Sequence, residues 1–191
     1  LTIDRADANT VMGIPKPDAI EILLCTKFEE NPSKNRVDEI HKVFVADMIN
    51  FYKTDASVKA KLNAEATFKA LREKGIKVSL DTGFSRDITD TILERLNWKN
   101  NDTIDFSVTS DEVAKGRPHP DLIFKAMEIT GFKADEIAKV GDTISDLHEG
   151  TSAGCKFVIG ITTGAYSHDE LAKEPHTHLV NDLLEVVEIV A

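Results

Sequence analysis

The sequence predicts an α/β fold, a parallel sheet covered by helices with a small helical unit ahead of it. Two observations carry that prediction. From Ala64 onward short apolar runs alternate with amphipathic stretches, the rhythm of repeated strand–helix units. Before that point the apolar residues recur only at helical spacing.

Taken in order, a short helix is predicted over 17–24. A turn follows at 31–35, where Pro32 and Ser33 break the pattern. Val37, Ile40, Val43, Phe44, Met48 and Phe51 then recur every three or four residues, which predicts an amphipathic helix over 36–52. The domain boundary is expected between 1–62 and 63–191. Beyond it, helices are predicted over 66–74, 88–96, 120–130 and 144–153, near His168, and from Leu183. Strands are predicted over 77–80, 106–109, 137–140 and 157–161.

The chain of 191 residues suffices for one domain, or a main domain with a smaller insert. Its net charge of -10 disfavours nucleic-acid backbones and anionic membrane surfaces as partners. The apolar runs are far too short to span a membrane, and residues 1–10 are too polar for a signal peptide, so a cytoplasmic location is expected. Cys25 and Cys155 lack CxxC spacing and read as packed thiols. The histidines are scattered, and His176 and His178 fall in a polar stretch that receives no role.

In a parallel sheet, ligands bind outside the carboxyl ends of the strands, and here those ends carry hydroxyls, carboxylates or glycine. The most informative is Val140-Gly141-Asp142-Thr143-Ile144-Ser145-Asp146, an apolar run stopping at a glycine and two aspartates four residues apart. A strand-to-helix turn of this kind offers hard oxygen ligands beside backbone N–H groups, which suits Mg²⁺ holding a phosphate better than zinc. The alternative is a helix N-cap with a solvated neighbour. Asp81-Thr82-Gly83 places a hydroxyl and a glycine N–H where phosphoryl oxygens could bind. Lys115-Gly116-Arg117-Pro118-His119-Pro120 holds cations in a proline-braced loop, suited to neutralising a transferring phosphoryl group or simply to starting the next helix.

Together and in this order, the strand-end Thr-Gly, the basic residue before Pro-x-Pro and Gly-Asp-x-x-x-Asp resemble the haloacid dehalogenase superfamily, whose core is Rossmann-like with a helical cap. Arg117 in a Gly-Arg-Pro loop, and Met12-Gly13-Ile14-Pro15-Lys16, resemble its phosphonatase group. The resemblance implies that Asp142 ligates Mg²⁺ with Asp146 in support, and that Thr82 and the Gly83 amide hold phosphoryl oxygens. Arg117 would steady nucleophile and phosphate. Lys16 would form a Schiff base with an aldehyde, with Met12 and Gly13 beside the substrate. An unperturbed lysine is neutral only roughly once in two thousand at pH 7, so Lys16 would need desolvation or a nearby cation. A phosphate-facing or surface lysine is the alternative.

Two departures separate the chain from phosphonoacetaldehyde hydrolase itself. Ala19 stands where that group has a proton-shuttling histidine, and Phe84 where it has tyrosine. A phosphonatase-like sister enzyme is therefore expected. The family's nucleophilic aspartate lies on a strand that no segment here matches, so a further βα piece of roughly thirty residues ahead of Leu1 is also expected. Without it, strands 77–80 and 106–109 should lack a link to the other two. The expected partner is a small phosphorylated or phosphonate metabolite. Phosphatase, sugar-phosphate mutase and non-catalytic phosphate-binding readings remain open, and Phe44 and Phe51 could support a homodimer.

Overall fold

The structure, a computed structural model, describes residues 1–99 and 103–191. It opens with three helices: α1 (Arg5–Thr10), α2 (Lys16–Phe28) and α3 (Lys34–Thr54). Helix α1 escaped the sequence reading because its polar surface carries no apolar period. It is fixed instead by a capping box, in which Asp4 and Asp7 each accept the other's backbone N–H at 2.9 Å. Helix α2 starts just after Pro15, and α3 after the Ser33 N-cap, so both run longer than their apolar stripes predicted.

The remainder alternates helix and strand: α4 (Ala64–Glu73), β1 (Ser79–Thr82), α5 (Arg86–Arg95), β2 (Phe106–Thr109), α6 (Asp121–Thr130), β3 (Ala138–Gly141), α7 (Ile144–Ala153), β4 (Phe157–Ile161), α8 (His168–Leu171), β5 (His178–Val180) and α9 (Glu185–Val190). All strand pairing is parallel, as helical crossovers require. The strands form two ladders, β1–β2 and β3–β4–β5, with no pairing between them among the described residues.

Two strand expectations are corrected. The first strand sits two residues later than 77–80, because its ladder runs on to the pair Thr82–Thr109; Asp81 and Thr82 thus lie inside the strand. The stretch around His178 is a strand, too short at three residues to show a period, and its Leu179 pairs with Gly160 of β4.

The core has one apolar cluster under β1–β2, built from Leu71, Val78, Leu93, Trp98 and Val187. Another lies under β3–β5, built from Ile159, Ile161, Val180 and Val186. Neighbouring residues of α9 serve the two clusters, Val186 one and Val187 the other, so this last helix fastens the ladders together. Full burial of each such valine contributes about 1.5–3 kcal/mol. No helix among the described residues is long and apolar enough to cross a membrane.

Candidate active site

The turn from β3 into α7 is built by Thr143. Its hydroxyl accepts the Asp146 N–H at 3.1 Å and donates to Asp146 Oδ2 at 2.6 Å, while the Thr143 N–H donates to the same oxygen at 3.1 Å. This capping box folds the Asp146 carboxylate back over the strand end, where any side chain on Gly141 would overlap it. Asp142 points the other way. Its Oδ2 accepts the Ala165 N–H at 3.0 Å across the end of β4, against Gly164, where a Cβ would collide with the carboxylate. Its other oxygen has no hydrogen bond or ion pair among the described residues, which leaves a hard donor at the strand end.

Beneath this turn lies a buried charge cluster. Arg117 pairs closely with Asp146 and lies 3.9 Å from Asp81. Lys139, in the middle of β3, reaches Asp81 at 2.6 and 2.7 Å, Glu149 at 2.6 Å and Asp146 at 3.2 Å. Burial alone would lower Lys139, but Asp81, Asp146 and Glu149 outweigh it and keep its ammonium charged. Burial would likewise raise Asp146, yet the charges of Lys139 and Arg117 hold it well below the usual carboxylate range. Three carboxylates facing two cations leave one negative charge in excess. The fully buried Glu149 is where a proton relieves it, and burial pushes that carboxyl up to about 7 against the pull of Lys139.

The segment from Met12 to Lys16 packs directly on these loops. Gly13, at φ +88°, lies so near Thr143 that a Cβ would sit 2.7 Å from its hydroxyl. A Cβ on Gly83 would meet the Ile14 carbonyl at 2.9 Å, and one on Gly116 would strike the Pro15 ring. Three glycines from separate parts of the chain thus let the helical segment reach the ends of both ladders. Two further bonds fasten it: Tyr166 donates to the Asn9 carbonyl at 2.8 Å, and Lys61 to the Thr163 carbonyl at 2.6 Å. Lys16 begins α2 with its ammonium 5.4 Å from the centre of the Phe84 ring. Burial, then the charge of Arg117, lowers its pKa. Tyr52 of α3 meets the same ring edge-on at 6.1 Å.

The residues singled out in the sequence therefore converge. Thr82, whose hydroxyl accepts the Phe84 N–H at 3.1 Å, ends β1 and Gly83 follows it; Arg117 reaches Asp146; Gly13 packs on Thr143 and Lys16 on Phe84, with Met12 next to Gly13 in the chain. Asp142 and Asp146 diverge, and the acidic cluster combines Asp146 with Asp81 and Glu149, not with Asp142. Sequence reading missed Asp81, Lys139 and Glu149. A lysine inside a short strand whose neighbours are apolar was the available signal, since a lysine held in a sheet needs partners. Glu149, three residues after Asp146 on one helix, was a second.

Comparison with known proteins accords with this geometry. The family model for haloacid dehalogenase-like hydrolase matches residues 2–160. The phosphonoacetaldehyde hydrolase of Bacillus cereus is 30% identical over 201 residues, covering 100% of this chain and 74% of its own length. Among solved structures, a phosphonoacetaldehyde hydrolase-like protein from Oleispira antarctica superposes with a TM-score of 0.86 at 18% identity, covering 100% of this chain and 80% of that one. CbbY from Rhodobacter sphaeroides, solved in complex with phosphate, reaches 0.81 at 15% identity over 97% of this chain and 81% of its own. On its matched residues and its relatives, the chain belongs to the haloacid dehalogenase superfamily of hydrolases, in its phosphonatase-like branch.

Proposed function

We propose that the protein is a magnesium-dependent hydrolase of a small phosphorylated or phosphonate metabolite, acting in the cytoplasm and passing the phosphoryl group to water through an aspartyl-phosphate. One observation carries this reading: Lys16, half-buried and with its pKa lowered, packs over Phe84 beside the phosphate-suited ends of both ladders. Residues 1–62 serve as the cap and 63–191 as the core, and Val43 and Phe51, exposed on α3, offer a surface to a second copy.

In this reading the Thr82 hydroxyl and the Gly83 N–H hold phosphoryl oxygens. Arg117 neutralises charge as it develops, locked in place by Asp146. The free oxygen of Asp142 suits Mg²⁺, and Asp146 supports the site through Thr143 and Arg117 instead of offering a free oxygen. Bound Mg²⁺ would supply a positive charge to the phosphoryl oxygens. Met12 and Gly13 close the site from the cap. With an aldehyde substrate, the neutral Lys16 amine attacks the carbonyl carbon and releases water. The resulting protonated imine then takes up the electron pair of the breaking P–C bond as an enamine, while the phosphoryl group passes to the aspartate nucleophile that the family resemblance implies.

A second reading, hydrolysis of a P–O bond with Lys16 only binding the substrate, is favoured by the surroundings of Lys16. Ala19 and Phe84 offer no titratable group there to move a proton. Borohydride reduction in the presence of phosphonoacetaldehyde decides. The Schiff-base reading expects the aldehyde fixed covalently on Lys16, found by peptide mass and lost in Lys16→Arg. Unmodified Lys16, together with phosphate release from a phosphomonoester, would overturn it in favour of the second reading.

A further inference from the structure

We infer that Lys139 is a built-in cation: its ammonium fills a carboxylate cage formed by Asp81, Asp146 and Glu149 that would otherwise take up a divalent ion beside Asp142. One oxygen from each carboxylate lies within 4.8 Å of the others. Opposite ligands of a bound Mg²⁺ or Mn²⁺ are roughly 4–5 Å apart, so the three carboxylates are close enough together, and of the right hard donor type, to close on such an ion. The ammonium sits among them at 2.6 to 3.2 Å.

The cage is built for this occupant. Glu149 is 0% exposed and, among the described residues, its contact with the Lys139 ammonium at 2.6 Å is what holds it. The stem of Lys139 passes over Gly150, where a Cβ would lie 2.8 Å from its own Cβ. The glycine one residue after Glu149 thus opens the path by which the ammonium arrives. Lys139 acts as a positioning residue: it fixes Asp146 from below while Arg117 fixes it from the side. By filling the cage it leaves the Asp142 end as the place for a metal. Without Lys139, Arg117 alone would face three carboxylates, two of them buried, and a divalent ion would restore the balance.

The test reads ion count and melting temperature in the intact protein and is independent of substrate, so failure of the phosphonate reading leaves it standing. Lys139→Ala is expected to melt below the wild type in EDTA, to recover with Mn²⁺, and to bind one Mn²⁺ per chain more than the wild type by electron paramagnetic resonance titration. Adding Glu149→Gln should abolish the additional ion. A Lys139→Ala protein that folds without an additional ion would overturn the inference. So would one that stays unfolded at saturating Mn²⁺, or an additional ion that survives Glu149→Gln.

Discussion

Two lysines, Lys139 buried and Lys16 half-buried, belong to the same site, and their surroundings drive them in opposite directions. Lys139 is ringed by three carboxylates and stays charged, while Lys16 has an aromatic face and a neighbouring arginine, and burial lowers its pKa. Burial alone disfavours the ammonium in both cases. The partners decide the outcome, and with it the use: Lys139 is a fixed counter-ion, and Lys16 is an amine brought closer to reactivity. A buried lysine is thus read by what faces it.

The sharpest way to break this contrast is to remove one cation from each region. Arg117→Ala leaves Asp146 buried and short of a partner, and should cost about 3–5 kcal/mol of stability in urea denaturation. Lys16→Met removes a cation with no carboxylate partner among the described residues and keeps its apolar stem, so stability should hold or rise while aldehyde trapping disappears. Equal losses in the two variants would mean that the two regions do not differ as described.

The two regions also differed in how far they could be read from sequence. The turn carrying Asp142 and Asp146 was legible because its residues are contiguous and the glycine, the cap and the carboxylates share one short stretch. The helices over 34–54 and 121–130 were legible from their apolar period. The charge cluster was not: Asp81 lies 58 residues from Lys139, and no local pattern announces a pair made across two ladders. The placement of Met12 to Lys16 at the site was legible only through the family resemblance, because the glycines it depends on, Gly83 and Gly116, read locally as turn residues. The fifth strand was lost for a different reason, being three residues long and led by histidine.

A smaller effect separates the regions by pH. The folded-state pKa of Glu149 is raised, to about 7, so the folded protein holds a proton there that the unfolded chain releases near the ordinary glutamate value. Its contribution is complete below that ordinary value and is lost as pH rises towards 7. Glu149→Gln should remove this decline, so the wild-type urea midpoint minus that of the variant should fall between pH 5 and pH 7.5. A constant difference across that range would show that Glu149 is not the group taking up the proton.

The smallest effect tests the aromatic side of the comparison. The ring of Phe84 is the group facing the Lys16 ammonium, and a π face favours the charged form by about 0.5–2 kcal/mol depending on exposure. Phe84→Leu keeps the site apolar but removes that face, along with the edge contact to Tyr52. The pH midpoint for acylation of Lys16, read by peptide mass, should already lie below that of an ordinary lysine in the wild type. In the variant it should fall further, by up to about 1.5 units. A rise would mean that the leucine lets water reach the ammonium, making Phe84 a seal against solvent and not a partner of the charge.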